Sequence, residues 1–245
     1  MKKYNNKFKC ESSMRNFSII IPTMDEADNI ILLLQQISCI MQRFGMKPEI
    51  LIIDDGSTDG TRARIKNYRG ELDVRLICRN SARGLASAVI VGAREASHDY
   101  IVVMDADLSH PPGIIPSLIA PLIDGTHDMV IGSRYIKGGN TPDWPAVRRL
   151  GSRLASIPAQ ILTSTRDPLS GFFSIDRQYL MNLDENLQGF KIGLEIIARS
   201  KGSLRILEVP ISFKDRFNGY SKMNFHVLKE YLYQLCRLSI VHPQG

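Results

Sequence analysis

The sequence predicts an α/β protein with a mainly parallel central sheet. Through residue 135, short continuous apolar runs alternate with segments whose apolar residues recur at helical spacing, the pattern of strand–helix–strand units. Polar residues follow each of the five strands in this region, and parallel strands bring their carboxyl ends to one edge of a sheet. We therefore expect one cleft, outlined by Asp25 with Glu26, Asp54 with Asp55, Arg79 with Asn80, Asp105 with Asp107, and Ser133 with Arg134.

The first half of the chain supplies the strands of this sheet. The run "FSIIIPT", residues 17–23, is continuously apolar up to Pro22, which is typical of a buried parallel strand. The helical segment after it carries acids in its first turn, where the helix dipole favours negative charge. The segments that follow are, in order, the strand "EILIIDD", the helix "RARIKNYRG", the strand "VRLICRN", the helix "GLASAVIVGAREAS", the strand "YIVVMDAD", the proline-interrupted helix "GIIPSLIAPLI" and the strand "DMVIGSRY".

From about residue 140 the periodicity is weaker. We predict, in order, a helix in "DWPAVRRLGSRLASIPAQILT", a loop in "STRDPLSGFFSID", a helix in "GFKIGLEIIARS", a strand in "LRILEVPISF" and a basic loop in "KDRFNGYSKM". The last segment places apolar residues on one helical face, namely Phe225, Leu228, Leu232, Leu235 and Leu238. Residues 1–16 are predicted to be a loose basic arm, 17–223 the main domain, and 224–245 an amphipathic helix suited to an interface.

Composition restricts the class of protein further. The 245 residues carry a formal charge of +6, which favours an anionic partner. No stretch approaches the roughly 18 apolar residues of a membrane span, and the basic start lacks the apolar core of a signal peptide. Four scattered cysteines, without a Cys-x-x-Cys pair, indicate reduced thiols of a cytosolic protein. Motifs of nucleic-acid binding are absent, so we do not expect a nucleic-acid partner.

The strand ends exclude two common nucleotide sites. A dinucleotide-binding site needs Gly-x-Gly-x-x-Gly after the first strand, but the turn here is "PTMDEADN"; the P-loop pattern is also missing. Carboxylates repel phosphates, so an acid-rich nucleotide site requires a divalent cation between them. Mg²⁺ uses few protein carboxylates and takes water and substrate phosphates as its other ligands. If Asp105 and Asp107 lie in a strand, their side chains leave on the same face and can share such a cation.

Seven blocks, in this order, resemble the family-2 glycosyltransferases of the GT-A fold. They are "IIIPTMDEADNI", "IIDDGSTDGT", "GLASAVIVGAREASHDYIVVMDADLSHPP", "VIGSRYIKGG", "DPLSGFF", "GFKIGLEI" and "EVPISFKDRFNGYSKM". The resemblance covers residues 17–238, and its later blocks are similar to those of dolichyl-phosphate (polyprenyl-phosphate) mannose synthases. It implies an α/β GT-A fold, a nucleotide-diphospho-sugar transferase fold that is Rossmann-like, with a mainly parallel central sheet.

The resemblance also implies roles for individual residues. The nucleotide would be bound by Pro22, Glu26, Asp54, Asp55, Arg83 and Asp105, with either Asp54 or Asp55 contacting the base. Where the family usually has Tyr-Asn, this chain has Met24-Asp25. A metal would be held by Asp105, Asp107 and Ser109. The catalytic set would be Asp105, Asp107, Arg134 and Asp167. The acceptor phosphate would be bound by Arg134, Arg216, Ser221 and Lys222.

The reaction implied by the resemblance is transfer of mannose from GDP-mannose to dolichyl or polyprenyl phosphate, with Mg²⁺ or Mn²⁺ as cofactor. A lipid phosphate oxygen is already anionic at neutral pH, so the attack needs no strong general base. Alignment and neutralisation of the leaving diphosphate are then the tasks of the protein. A single in-line displacement inverts the anomeric configuration.

The lipid acceptor implies a peripheral place at the cytoplasmic face of a membrane. A basic loop beside an amphipathic C-terminal helix is suited to reversible docking on an anionic surface. Many relatives continue into membrane helices. We therefore expect a peripheral enzyme, a part of a longer chain, or a subunit with a membrane partner.

Two alternatives remain open from the sequence. The donor could be a UDP-sugar such as UDP-glucose, or the acceptor another family-2 substrate, because the sequence does not distinguish a guanine pocket from a uracil pocket. The chain could also be a non-catalytic sugar-nucleotide-binding subunit of a membrane complex. Retention of Asp105, Asp107, Arg134 and Lys222 favours an enzyme.

Overall fold

The computed structural model describes residues 16–79, 84–184, 187 and 191–215, the backbone of 225–241 and the side chains of 229–239. The strands in these ranges are β1 (Ser18–Thr23), β2 (Glu49–Asp54), β3 (Asp73–Cys78), β4 (Tyr100–Val103), β5 (Met129–Ser133), β6 (Phe173–Asp176) and β7 (Ile206–Pro210). The helices are α1 (Ala27–Phe44), α2 (Thr61–Lys66), α3 (Leu85–Glu95), α4 (Ile115–Ile123), α5 (Ala146–Thr163), α6 (Arg177–Met181), α7 (Ile192–Arg199) and α8 (Phe225–Val241).

The strands form one sheet in the order β3-β2-β1-β4-β6-β5-β7, in which β6 alone runs antiparallel to its neighbours. The predicted mainly parallel sheet is therefore confirmed. Thr23 pairs with Asp54, and Asp54 pairs with Cys78, so the first three strands end level with one another. The loops after β1, β2 and β3 consequently leave the sheet side by side.

Strand β6 corrects the sequence prediction, which assigned its residues to a loop. Four residues insert between β4 and β5 and pair with both, for example Phe173 with Val103 and with Ile131. The strand is too short to show a periodicity of its own, and its central residues are apolar or small. Its reversed direction brings the start of β6, rather than its end, to the edge where the parallel strands terminate.

Two apolar layers cover the sheet, one on each face. Along β1, Ile19 and Ile21 face a layer built mainly from α1 and α4, whereas Ile20 faces a layer built from α3, α6 and α7. This is the period-two alternation of a strand buried on both sides. Helix α3 lies close to the sheet at Gly92, where an added Cβ atom would stand 2.7 Å from Cγ2 of Ile20.

Helix α8 packs on other helices rather than on the sheet. Its buried residues Tyr231, Leu235 and Leu238 join Ala159 of α5 and Leu194 of α7 in a third apolar cluster. Leu232, which belongs to the predicted apolar face, is 52% exposed and lies outside this cluster. Among the helices of the described residues, none has the length and apolar character that crossing a membrane requires.

Candidate active site

The loops after the first two strands are tied to each other by side-chain hydrogen bonds. The Asp59 carboxylate accepts the N–H of Ala27, at the start of α1, at 2.9 Å and the hydroxyl of Thr61 at 2.6 Å. Thr61 in turn accepts the N–H of Glu26 at 2.8 Å. Asp25 adopts a left-handed backbone, with φ of 58°, and its carboxylate accepts the N–H of Thr58 at 2.8 Å. These bonds hold half-buried Glu26 at the cleft.

Asp54 is fully buried and its carboxylate is used inside the protein. It accepts the N–H groups of Gly56 and Ser57 at 3.2 and 3.1 Å, the hydroxyl of Ser57, and Nε of Arg62 at 2.5 Å. Burial opposes ionisation of this carboxyl, but the hydrogen bonds from Ser57 and the pairing with Arg62 outweigh it, so the pKa of Asp54 lies below its ordinary value. Asp54 thus shapes the turn.

Asp55 is placed differently, although it is the next residue. Its Oδ2 accepts the N–H of Gly84 at 2.9 Å, and its Oδ1 lies 3.0 Å from Nη1 of Arg79. Within the described residues, Oδ1 is buried and accepts no hydrogen bond of good geometry. An ion pair of this kind leaves hydrogen-bonding capacity on the buried oxygen, which a ligand or a water is expected to use. Of the two adjacent aspartates, Asp55 is therefore the one with hydrogen-bonding capacity left for a ligand.

The β4 strand ends before Asp105, which corrects the argument that Asp105 and Asp107 share one face of a strand. The N–H of Met104 still donates to Ile20 of β1, at 3.2 Å. The N–H of Asp105 turns away and donates instead to Nδ1 of His110, at 3.0 Å. Because His110 takes the place of a neighbouring strand, both aspartates lie in the loop.

The two aspartates of that loop differ in exposure. The Asp105 side chain is 35% exposed, and Nε2 of His110 lies 3.9 Å from its Oδ2. Asp107 is buried, and its Oδ1 accepts both the N–H and the hydroxyl of Ser109, at 3.1 and 2.6 Å. Leu108 between them has φ of 64°, which folds the loop back on itself. Asp107 and Ser109 therefore form one local unit behind the more open Asp105.

Gly171 and His110 form the walls around Asp105. A Cβ atom at Gly171 would lie 3.4–3.5 Å from both carboxylate oxygens of Asp105, so glycine leaves the space before them open. His110 stacks on Phe172, with ring centroids 4.9 Å apart. Burial lowers the pKa of His110, and its Nδ1 accepts the Asp105 N–H, so the ring is neutral. His110 is therefore a packed loop residue that fixes Asp105.

Arg134 is held rigidly beyond β5. Its Nε and Nη2 donate to the two oxygens of Asp167 at 2.8 and 2.7 Å, and its backbone N–H donates to the same carboxylate at 2.9 Å. Burial alone would lower the pKa of Arg134, but the bond to Asp167 and the nearby carboxylate charges raise it. Such a two-pronged pair fixes the plane of the guanidinium and leaves Nη1 to face other groups.

Arg134 faces a cavity of about 330 Å³ that contains two further arginines, Arg149 and Arg153 of α5. Aromatic rings surround its guanidinium, with centroids 5.0 Å away for Tyr135, 5.8 Å for Trp144 and 5.4 Å for Phe213. Arg148 stacks on Trp144 at 4.2 Å and pairs with Asp215 at 2.8 Å. The cavity is lined by three arginines and Tyr135, and this concentration of positive charge suits an anion.

Comparison with known proteins gives the family. Residues 18–184 match the family described as Glycosyl transferase family 2. The chain belongs to this family. It is 40% identical over 225 residues to the dolichol-phosphate mannosyltransferase of Pyrococcus furiosus, covering 90% of this chain and 63% of that protein. It is 39% identical over 234 residues to the Saccharomyces cerevisiae protein of the same name, covering 91% of this chain and 87% of that protein.

The glycosyltransferase has the GT-A fold, as predicted. A crystal structure of glucosyl-3-phosphoglycerate synthase from Mycobacterium tuberculosis, in complex with Mn²⁺, UDP-glucose and phosphoglyceric acid, superposes with a TM-score of 0.74. The two sequences are 18% identical, and the match covers 99% of this chain and 88% of that one. A second structure of the same synthase, with UDP, gives a TM-score of 0.72 at 21% identity.

The glycosyltransferase offers an oxygen donor set of the kind that Mg²⁺ and Mn²⁺ take. The open Asp105 carboxylate stands closest to the cleft, with Asp107 and Ser109 behind it. Within the described ranges no third carboxylate, histidine or thiolate completes a cluster of protein ligands. A site with two carboxylates fits a cation that takes water and substrate phosphates as its remaining ligands.

The predicted site residues of this glycosyltransferase that the structure describes lie along the expected edge of the sheet. The other four predicted residues, Arg83, Arg216, Ser221 and Lys222, lie outside the described residues. Sequence reasoning did not assign the two further arginines of the cavity, Arg149 and Arg153, to the site. It also missed Lys191, whose charge helps to lower the pKa of His110. The spacing of Arg149 and Arg153, four residues apart on one helix, was the available signal.

Proposed function

We propose that this glycosyltransferase transfers mannose from GDP-mannose to a dolichyl or other polyprenyl phosphate, with inversion at the anomeric carbon. The observation that carries the proposal is the cavity of Arg134, Arg149 and Arg153, which adjoins an exposed apolar face of α5. An acceptor with an anionic head and a long apolar tail fits both features. Sequence relatives named dolichol-phosphate mannosyltransferase, including one from Mycosarcoma maydis at 40% identity, support this acceptor.

The acceptor phosphate would lie in the arginine cavity. Its oxygen is already anionic, so the residues around it need to align it and balance its charge rather than remove a proton. Arg134 is suited to alignment because Asp167 fixes its plane. Arg149 and Arg153 would contribute further charge. Arg216, Ser221 and Lys222, assigned here by family resemblance, would complete the phosphate site.

The donor nucleoside would lie over the ends of β1 and β2. Asp55 is proposed to accept a hydrogen bond from the nucleoside through its Oδ1, while Asp54 holds the turn beneath. Pro22 and Glu26 are half-buried at the same edge, and Glu26 is kept there by Thr61. Arg83 is assigned to this pocket by resemblance.

Asp105, Asp107 and Ser109 are proposed to hold a divalent cation, Mg²⁺ or Mn²⁺. When bound, the cation would neutralise charge on the leaving diphosphate. The chain's own part is to keep the Asp105 carboxylate open toward the cleft, which His110 and Gly171 do from its two sides. Mn²⁺ bound with UDP-glucose in the structurally similar synthase supports a divalent cation in this site.

The apolar face of α5 is proposed to lie on the membrane that carries the acceptor, at its cytoplasmic face. The residues of this stripe recur at helical spacing, and each is at least 45% exposed: Val147, Leu150, Leu154, Ile157 and Ile161. The arginines of the cavity flank the stripe and match the negative charge of lipid head groups. The sequence assigned the interface to the C-terminal helix, whose described part buries Tyr231, Leu235 and Leu238 against α5 and α7 and leaves Leu232 and Tyr233 exposed.

The experiment that tests the proposal is transfer of radiolabelled sugar to a short polyprenyl phosphate, from GDP-mannose and, in parallel, from UDP-glucose, with Mg²⁺ or Mn²⁺. Label in the lipid phase from GDP-mannose alone is the expected result. Label from UDP-glucose alone would keep the acceptor and replace the sugar. Binding of nucleotide without transfer to any lipid phosphate would favour a non-catalytic subunit. The matched negative control is Asp107→Ala, for which we expect no metal-dependent transfer.

A further inference from the structure

Glu208 of β7 makes a contact that the proposed reaction does not yet use. Its two carboxylate oxygens accept the backbone N–H groups of Arg166 and Asp167, each at 2.9 Å. These are consecutive residues of the loop between α5 and β6. One carboxylate that accepts two successive N–H groups fixes the orientation of the peptide between them.

The loop peptide in turn carries the partner of Arg134. Asp167 has no exposed surface, and both of its oxygens bind Arg134. Pro168 follows Asp167 and restricts the backbone of Asp167 to extended conformations. Glu208 restricts the rotation of the peptide between Arg166 and Asp167, which Pro168 does not restrict. The direction of the Arg134 guanidinium in the cavity is thus set through Asp167 by a residue on the edge strand.

We propose that Glu208 is a positioning residue for the acceptor phosphate, acting through Asp167 on Arg134. The inference rests on the proposed function of the arginine cavity. Glu208 is not proposed to contact the substrate, because both of its carboxylate oxygens already accept backbone N–H groups. Its loss should therefore affect the acceptor and leave the donor side, on β1 and β2, unchanged.

The same loop has a second anchor, which makes the variant informative. The Ser170 hydroxyl donates to the carbonyl of Gly132 at 2.7 Å, and the Ser170 N–H donates to the carbonyl of Asp167 at 3.2 Å. A chain altered at Glu208 therefore keeps the loop against β5. The isosteric change Glu208→Gln replaces one acceptor oxygen with an N–H₂ group, so at least one of the two N–H groups loses its acceptor.

The single tryptophan of the chain supplies a direct readout. Trp144 is 7% exposed and its ring lies 5.8 Å from the Arg134 guanidinium, so its fluorescence should respond when an anion enters the cavity. Titration with farnesyl phosphate, and separately with inorganic phosphate, would measure binding without any turnover. The matched control is Asp128→Asn. Asp128 also accepts a backbone N–H, that of Arg205 at 2.8 Å, but it precedes β5, at the ends of β5 and β7 that lie away from Arg134.

We expect Glu208→Gln to weaken farnesyl phosphate binding and to raise the acceptor KM by about tenfold, with donor KM within about twofold of the wild type. Glu208→Asp, which keeps two acceptor oxygens, should recover part of the loss, and Asp128→Asn should match the wild type. Equal binding by Glu208→Gln and wild type, or a parallel rise of both KM values, would overturn the inference. A wild-type chain that binds no prenyl phosphate would overturn the proposed function, and the inference with it.

Discussion

Asp54 and Asp55 show how two identical neighbours acquire different tasks. Alternate residues of a strand point to opposite sides. Asp54, the last residue of β2, contacts Arg62 and Ser57 on one side of the sheet. Asp55 points to the other side and contacts Arg79 and Gly84. The sequence predicted a functional pair but not the division of work, because the division depends on an arginine eight residues away that returns on α2.

Asp55→Asn should weaken nucleotide binding by about tenfold. The Gly84 N–H would keep the amide oxygen in the place of Oδ2, so the N–H₂ group would replace Oδ1 and could not accept the hydrogen bond proposed from the nucleoside. Binding of GDP measured by calorimetry checks this. Asp54→Asn is the matched comparison and should lower the free energy of unfolding by about 1–3 kcal/mol, since it removes the acceptor of a buried charged hydrogen bond. A larger loss of GDP affinity in Asp54→Asn than in Asp55→Asn would reverse the assignment.

Glu49 provides a pH-dependent contribution to stability at the far edge of the sheet. Burial would raise its pKa, but hydrogen bonds from Ser97, Arg75 and Ser18 outweigh burial and hold the pKa below its ordinary value. A carboxyl with a depressed pKa stabilises the fold above its unfolded pKa, and that stabilisation is lost as the pH falls through the folded pKa.

The difference in unfolding free energy between wild type and Glu49→Gln should therefore be largest near pH 7 and shrink below about pH 4.5. Urea denaturation at several pH values measures it. Sugar transfer at neutral pH should remain within about twofold of wild type, because Glu49 lies at the start of β2, away from the cleft. A pH-independent difference would show that Glu49 acts by packing.

At the scale of elements, α5 is amphipathic in the reverse sense from most surface helices. Its buried positions are the small residues Ser156 and Ala159, while its large apolar side chains face outward. Periodicity in the sequence identifies such a helix but cannot tell which face turns inward, because burial depends on what else covers the helix. The same limit applies to Leu232 of α8, which shares the predicted apolar face with Leu235 but is exposed, whereas Leu235 is buried.

The double change Leu150→Ser with Leu154→Ser should reduce co-sedimentation with anionic vesicles by about tenfold or more, because each inserted leucine contributes about 1.5–3 kcal/mol. Transfer to an acceptor embedded in vesicles should fall in parallel, whereas transfer to a detergent-solubilised short acceptor should not. Leu32→Ser on α1, a leucine that is 36% exposed, is the control. Vesicle binding that is unchanged in the double variant would remove α5 from the membrane surface.

The strands illustrate what sequence predicts well and what it does not. Long apolar runs such as β1 and β2 were assigned correctly because burial on both faces leaves a continuous signal. Asp105 was placed in a strand because nothing local shows that His110 would take its N–H. Strand β6 was missed because its four residues are stabilised as a strand by pairing with β4 and β5, which a local pattern in the sequence does not show.

At the scale of the whole molecule, α8 fastens α5 to α7. The Tyr231 hydroxyl donates to the carbonyl of Ala155 at 2.6 Å, and burial raises the pKa of Tyr231 to about 12. On the other side, fully buried Glu195 accepts Nε of Arg199 at 2.7 Å and Nη2 of Arg237 at 2.5 Å. Helix α5, which forms the proposed membrane face, is thereby held in place by α8 on its buried side.

Glu195→Ala should destabilise the fold by about 1–3 kcal/mol, because the partly exposed Arg199 and Arg237 and the buried Gln234 amide then lose a hydrogen-bond acceptor. Thermal unfolding measures the loss, and limited proteolysis should cut near α8 before the rest of the chain. Glu71→Gln, an exposed carboxylate that bonds Gln42, should leave both unchanged. Wild-type stability in Glu195→Ala would mean that apolar contacts alone hold α8.

The sheet order also divides the sequence into two consecutive parts, each of which forms one half of the sheet. Strands β1 to β4 and the loop after β4, residues 18–109, carry the proposed donor site, whereas β5 to β7, residues 129–210, carry the arginine cavity, and the two stretches meet where β4 pairs with β6. Apart from Gly171, which borders Asp105, each proposed site is thus encoded by one continuous stretch of sequence. Recombination between relatives near the α4–β5 connection could exchange acceptors without disturbing the donor, a simple route by which one scaffold acquires new products.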